Sequence, residues 1–427
     1  MSSAPPLRFV LPLLALSFFD LRAAAAAPAT PLAADEPSAA TLPAATPSAA
    51  TPSADDSSTD EPSANEPTRD APAAAAAPLP DTGISGVYEV VVGTRDADRL
   101  VKYFEQFGFR PVREVQLSAA RGASLYGVES AARVIRMQSG EIDAHGLLRI
   151  VQWAQGLGEG VGLAPPETIG QRMAVMRTRD IFRLHDIFSD ARASGEPWLV
   201  TAPVYDDLYD MTDKGPLNVI QRRVGVREMA VYGAEFNHVF YQRYGYTIPG
   251  YGTISPEAPL QTSEFTHHDF IIDGDIEEVT DYYERVLGFR QEAPASLDGA
   301  WQAGPRAVFQ MAPGTSHWYV GFVSPNDIAG KLKFFVNRDR AHARDRSAEQ
   351  RMGFSGITMH SLWTPHLDRV IERATAAALT MSAPQENEFG ERSVVLRGPD
   401  GVTWQIIERA ASDRAPERQL RFELTNN

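Results

Sequence analysis

The chain has no cysteine among its 427 residues. That excludes disulfides, thiolate catalysis, sulfur-ligated zinc and lipid attachment through a cysteine. An excess of positive charge is missing too: 40 Lys and Arg stand against 55 Asp and Glu, for a net charge of −15. With no Lys/Arg stripe along the chain, no nucleic-acid partner is expected. Long apolar runs are scarce. The most sustained one, Phe9 to Phe19, is too short to cross a bilayer comfortably, so no stable membrane span is expected. Neither a Gly-rich phosphate loop nor a nucleophile-elbow motif is present.

What is present begins with that run. Arg8 precedes it and the small-residue stretch Ala23 to Ala27 follows, the layout of a secretory signal. Residues 1–27 are therefore expected to be a signal peptide and the protein to be periplasmic or secreted. Residues 28–80 are rich in Ala, Pro, Ser and Thr, with Pro-Ser-Ala recurring at 37, 47, 52 and 62. This stretch holds eight acidic residues and one basic, so it carries nearly half of the chain's net charge. Having so little to bury, it is expected to be a disordered acidic linker. The charged tail, 412–427, is expected to fray.

Between linker and tail the chain repeats itself. Tyr103-Phe104-Glu105-Gln106-Phe107-Gly108-Phe109-Arg110 nearly recurs as Tyr282-Tyr283-Glu284-Arg285-Val286-Leu287-Gly288-Phe289-Arg290. Before each Gly-Phe runs an apolar stripe stepping by three, four and three: Ala97, Leu100, Phe104, Phe107, and Ile276, Val279, Tyr283, Val286. Two more stripes share that stepping, Ile181, Leu184, Phe188, Ala191 and Leu367, Val370, Ala374, Ala377. Such spacing sets one face of a helix against a core. A β-like run precedes every stripe, at Val90–Val92, Met173–Met176, Phe270–Ile272 and Ile357–Leu362, and shorter strand-like runs follow. The repeat is fourfold.

A strand–helix–strands unit closed by Tyr282 to Arg290, with Gly398-Pro399-Asp400-Gly401 leading to a last strand at Val402–Glu408, resembles the vicinal-oxygen-chelate superfamily. That group includes glyoxalase I, extradiol ring-cleaving dioxygenases and the bleomycin-resistance binding proteins. The resemblance spans about 83–411. It implies an α+β fold of four βαβββ modules paired into two cup-shaped mixed-sheet domains. Modules 1 and 2 would form the domain 81–255, and modules 3 and 4 the domain 256–411. With both cups complete in one chain, a monomer is expected. The resemblance also implies a divalent metal at a cup floor, held from the first and last strands of the modules. Fe, Mn, Zn or Ni suits such an oxygen- and nitrogen-rich site.

Counting eight residues back from each stripe places the implied first-strand ligands at Glu89, Met173, His268 and Met359. The last-strand positions fall at Gln405 in module 4 and Phe240 in module 2, with Arg149 and Tyr319 as the counterparts in modules 1 and 3. The implied metal set is His268, His360 and Gln405; His360 enters if a one-residue bulge turns it into the cup in place of Met359. Glu89, His267, Tyr319 and Met359 are expected to line pockets. Met173 and Phe240 offer nothing to a hard cation, so the N-terminal cup is expected to hold no metal. The aromatics between Tyr232 and Tyr251 fit a wall for a planar ligand or core packing. Two functions follow from the resemblance. One is a metal-dependent lyase or dioxygenase acting on a small vicinal-oxygen substrate. The alternative is a non-catalytic protein that sequesters a small-molecule ligand in a metal-free cup.

Overall fold

The computed structural model describes residues 79–410 and 423–424, except 208–212, 215–220, 223, 293–295, 298–302, 311–316, 327–329 and 338–343. The expected signal peptide and nearly all of the expected linker lie outside the described residues.

Four strand–helix units follow the four stripes. In the first, β1 (Glu89–Thr94) leads into α1 (Ala97–Glu105), which buries Ala97, Leu100 and Phe104. The Asp96 side chain caps α1 by accepting from the Arg99 amide, which satisfies a donor the helix cannot pair itself. β2 (Phe109–Leu117), α2 (Ala119–Tyr126), β3 (Ala132–Ser139) and β4 (Leu147–Trp153) complete module 1. Module 2 comprises β5 (Arg172–Thr178), α3 (Ile181–Ala193), β6 (Gly225–Tyr232) and β7 (Asn237–Tyr244). Module 3 comprises β8 (Thr262–Ile272), α4 (Ile276–Asp281), α5 (Ala303–Val308), β9 (His317–Val323) and β10 (Lys331–Asn337). A π-helical turn at Tyr282–Val286 extends α4. Module 4 comprises β11 (Gly356–Thr364), α6 (Leu367–Ala376), β12 (Arg392–Arg397) and β13 (Thr403–Glu408). The glycines of the repeated motif, Gly108 and Gly288, have φ of +84° and +82°. A side chain is strained in that left-handed conformation, which ends each helix and turns the chain into the next strand.

Strand pairing departs from chain order. One sheet runs Gln385–Glu386, β12, β13, β11, β1, β4, β3, β2; the other runs Arg290–Gln291, β9, β10, β8, β5, β7, β6, Leu199–Val200. Module 1 therefore joins module 4 through the antiparallel pair β1–β11, and module 2 joins module 3 through β5–β8. This pairing crosses the expected boundary between 255 and 256: the described residues belong to one compact unit built of two curled mixed sheets. The reason lies in the helices. Stripe residues of α1 and α3 pack with Val90 and Ile150 of one sheet and Met176 and Phe240 of the other. Residues of α4 and α6 pack with Leu362 and Trp404 on one side and Phe270 and Phe334 on the other. Modules 1 and 2, and likewise modules 3 and 4, thus meet through helix faces between the sheets, while sheet edges join module 1 to module 4 and module 2 to module 3. The concave faces point away from this layer and form cup A (modules 1 and 4) and cup B (modules 2 and 3). Of the tail, the described pair Glu423–Leu424 bonds to Tyr246–Thr247.

Cutting the chain at 255 tests this pairing. Fragments 81–255 and 256–411 each contain two half-sheets with unpaired central edges, so each alone should lack cooperative thermal unfolding by circular dichroism. Mixing them should restore it. Independent cooperative folding of either fragment would contradict the cross-chain arrangement.

Candidate functional site

Side chains alternate along a strand, so pairing register decides which residues reach a cup. In cup A, Glu89 stands opposite Ser361 and Val91 opposite Met359. Thr358 forms a bulge between the Met359 and Ile357 pairings. The bulge leaves Met359 against Val91 and Phe389 on the concave face. His360 points the other way.

Module 3 departs from the others in its strand–helix connection. Two residues separate the first strand from the helix in modules 1, 2 and 4, but three, Asp273-Gly274-Asp275, do so in module 3. The count of eight therefore lands one residue off its intended face. His267 and Asp269, paired with Val175 and Met173, face cup B. His268 faces the layer between the sheets. There it meets His360, with ring centroids 5.0 Å apart and planes at 79°, beside Phe270 and Trp404. The implied metal set is thus divided: Gln405 lies in cup A and both histidines lie behind the sheets. Phe240 also faces that layer, and its neighbour Tyr241 faces cup B. Tyr319 packs toward cup B from β9, the strand before the last.

The floor of cup A is an ion-pair network. Glu89 is fully buried. It accepts from Arg149 Nη2 and Arg136 Nε, and from Ser361 Oγ at 2.9 Å. Arg149 Nη1 donates to Gln405 Oε1 at 2.7 Å and to Glu388 Oε1 at 3.0 Å. Tyr126 OH donates to Glu388 Oε2 at 2.5 Å. Arg136 donates to both Glu391 oxygens at 2.8 Å, and the Phe389 ring lies 4.0 Å from its guanidinium carbon. Burial pushes the Glu89 carboxyl up, but Arg136 and Arg149 outweigh it and hold it at about 2. Gln405, the one residue of the implied metal set in this cup, is bound by Arg149, a permanent cation. A divalent ion there would compete with Arg149 for the oxygens of Glu89 and Gln405 and be repelled by two guanidiniums. These residues do not fit one.

Cup B carries a different polar cluster. Lys333 pairs with Asp269 across β10 and β8, the relation that Gln405 has to Ser361 in cup A. Asp269 is buried, and its Oδ1 has no hydrogen-bond partner among the described residues. Burial pushes its carboxyl up to about 7, against the pull of Lys333, with Glu228 adding to the rise. Burial also raises Glu228. His267 Nδ1 lies 3.1 Å from Tyr251 OH. The wall is apolar and tyrosine-rich, from Met173, Val175, Tyr232, Tyr241, Tyr246 and Phe335, and Arg243 lies over the rings of Tyr241, Tyr246 and Tyr251. Those aromatics are thus packed around a guanidinium of the chain itself. Among the described residues, no three His, Asp or Glu side chains are grouped to hold a metal ion.

Sequence reasoning missed Asp269, Glu228 and Lys333 in cup B, and Tyr126, Arg136, Ser361, Glu388 and Glu391 in cup A. Polar residues alternating with apolar ones, as in Lys331-Leu332-Lys333-Phe334, could have marked Lys333, and His267-His268-Asp269 could have marked Asp269. The segment Gln385–Glu391, three acids around one Phe, gives no sign of its partners.

The family model described as Glyoxalase/Bleomycin resistance protein/Dioxygenase superfamily matches residues 265–406. No curated protein matches the chain. Among solved structures the chain is similar to glyoxalase I from Zea mays, at 11% identity over 76% of this chain and 92% of that one, with a TM-score of 0.45. It is similar to TnmS3, an antibiotic binding protein from Streptomyces sp., at 14% identity over 34% of this chain and 94% of that one, TM-score 0.23. A glyoxalase family protein from Bacillus cereus aligns at 12% identity over 40% of this chain and 100% of that one, TM-score 0.27.

The buried histidine pair sets a pH dependence. Burial, with His145 nearby, pushes His268 down to about 3; burial, then His268 and Arg172, push His360 well below its ordinary value. None of the four ring nitrogens has a hydrogen-bond partner among the described residues. A depressed histidine pKa stabilises the fold fully above about 6.5, and that contribution is lost as pH falls toward 3. The loss is steepest at about 1.4 kcal/mol per pH unit for each histidine. Urea unfolding from pH 7 to 4 should therefore show a shallower decline for His268→Phe/His360→Leu than for wild type. Identical slopes would show that the pair is not neutral and buried.

Proposed function

We propose that the chain, whose residues 265–406 match the Glyoxalase/Bleomycin resistance protein/Dioxygenase superfamily, is a non-catalytic, metal-independent small-molecule-binding protein of the bleomycin-resistance type. The observation that carries this reading is the placement of Arg149. Its guanidinium binds the oxygens of Glu89 and Gln405, which sit on the first strand of module 1 and the last strand of module 4. The positive charge that a lyase or dioxygenase of this superfamily would draw from a metal is here covalently part of the chain. In cup B, Lys333 stands beside Asp269. Each cup retains what a binding protein needs: a concave, partly apolar wall with a few buried polar groups that fix orientation. A small molecule with a flat apolar body matches the Phe389 and tyrosine surfaces.

Metal analysis decides between this reading and the enzyme. Protein incubated with Fe(II), Mn(II), Zn(II) or Ni(II) and dialysed should retain far less than one equivalent, and Glu89→Ala should not change that. Retention of one equivalent that falls in Glu89→Ala or in His267→Ala would return the lyase or dioxygenase reading.

We propose in addition that the protein is exported, supported by Arg8, the apolar run Phe9–Phe19 and Ala23–Ala27. In a bacterial host the mature chain should be recovered outside the cytoplasm with its N-terminus close to Pro28. A cytoplasmic chain that keeps residues 1–27 would refute this.

A further inference from the structure

The strap between α6 and β12 fills cup A in an unusual way. Its backbone joins the sheet at Met381, bridged to Leu396, and at Gln385–Glu386, paired with Ser393 and Arg392. Beyond that point the chain makes its own turn: Asn387 N donates to Glu391 O at 2.8 Å, and the Asn387 side chain accepts from the Phe389 and Glu391 amides. The rest of the strap is held by side chains. Gln385 and the Glu386 carbonyl bond to α2, through Ser124 and Arg121. Glu388, Phe389 and Glu391 descend to the guanidiniums on the floor.

Glu388 is the deepest of these, with its side chain 1% exposed. It is also the third carboxylate presented to two guanidiniums, since Glu89 and Glu391 already accompany Arg149 and Arg136. Its contacts are those by which a protein receives a carboxylate ligand: one charged donor on Arg149 and one hydroxyl donor on Tyr126. Arg149 Nε is buried with no hydrogen-bond partner among the described residues, so the receptor has donor capacity that Glu388 leaves unused. On the outer side a cavity of about 670 Å³ borders Glu388, with Gln116, Ser118 and Arg121 on one wall and the strap on the other.

We propose that Glu388 is an internal stand-in for the carboxylate of a small-molecule ligand, and that such a ligand displaces the strap and seats its carboxylate on Arg149 and Tyr126. The inference rests on the metal-independent binding reading and adds the ligand's chemistry. A carboxylate replaces Glu388 like for like. A neutral or cationic molecule displacing it would leave Arg149 Nη1 and Tyr126 OH without the carboxylate they share, with only Glu89 and Gln405 still on the guanidinium, which is costly. The apolar body of the ligand would take the place of Phe389 beneath the guanidiniums, where a planar ring is favoured.

Benzoate is the probe, with benzamide as its neutral counterpart, measured by titration calorimetry. Glu388→Ala should bind benzoate saturably and at least ten-fold more tightly than wild type, which must first release its own carboxylate. Benzamide should not bind. Glu388→Gln keeps the side chain's shape, and serves if Glu388→Ala fails to fold by circular dichroism. Adding Tyr126→Phe should weaken benzoate several-fold, and adding Arg149→Met should abolish binding. In wild type, benzoate should speed cutting by a glutamate-specific protease within 386–391. A folded Glu388 variant that ignores benzoate, or binds it equally with and without Arg149, overturns the proposal. So does a strap whose cleavage benzoate leaves unchanged. Metal assay of the same preparations separates the two claims: a stoichiometric metal refutes the binding-protein reading, whereas metal-free protein indifferent to benzoate refutes only this inference.

Discussion

The buried pair of Glu89 and Arg149 is the interaction on which cup A depends. Neither charge could remain there alone, because removing a carboxylate or guanidinium from water costs several kcal/mol, roughly, unless a partner is in place. Each is completed by further groups: Arg136 and Ser361 on Glu89, Gln405 and Glu388 on Arg149. These come from β1, β3, β4, β11, β13 and the strap, so one network ties module 1 to module 4 at the bottom of their joint sheet. Gln405, a residue of the implied metal set, serves here to hold the joint sheet together.

Cup B solves the same problem with different residues. Lys333 and the raised carboxyls of Asp269 and Glu228 share a tyrosine-lined face. Here burial opposes ionisation more strongly than the nearby cation supports it, the reverse of the balance at Glu89. The two cups therefore differ: one has an ionic floor, and the other a floor whose carboxyl can carry a proton. Behind both, the helix layer buries the His268–His360 contact in an environment suited only to neutral rings.

Much of the fold was legible because it rests on periodicity. Four stripes and four β-like runs fall on α1, α3, the α4 extension and α6, and on β1, β5, β8 and β11. The glycines of the repeated motif close helices through positive φ, as their position after an aromatic stripe suggests. The pairing of modules was not legible, because the stripe says that a helix is buried and not which sheet edge lies beyond it. The site was read in part. Glu89, Arg149, Met359 and Gln405 reach the concave face of cup A, and His267 reaches that of cup B. His268 does not, because one additional residue in the connection Asp273-Gly274-Asp275 reverses the facing of everything counted through it. The bulge in β11 falls at Thr358, beyond Met359, so it leaves His360 facing away from the cup. The strap's role depends on contacts more than 230 residues apart in sequence, such as Glu388 with Arg149, for which composition gives no cue.

The central pair of cup A also has a bearing on time. Ser361 and Glu89 touch across 272 positions, and β13 closes near the end of the described chain. During synthesis β1 emerges early, with an apolar edge and a carboxylate meant for burial, and waits for module 4 before either is covered. Long loops of this kind slow folding and leave strands available to wrong partners. The β5–β8 pair, by contrast, joins modules that follow one another directly. Cup B can therefore form first and offer the helix layer as a template on which the first and last modules meet.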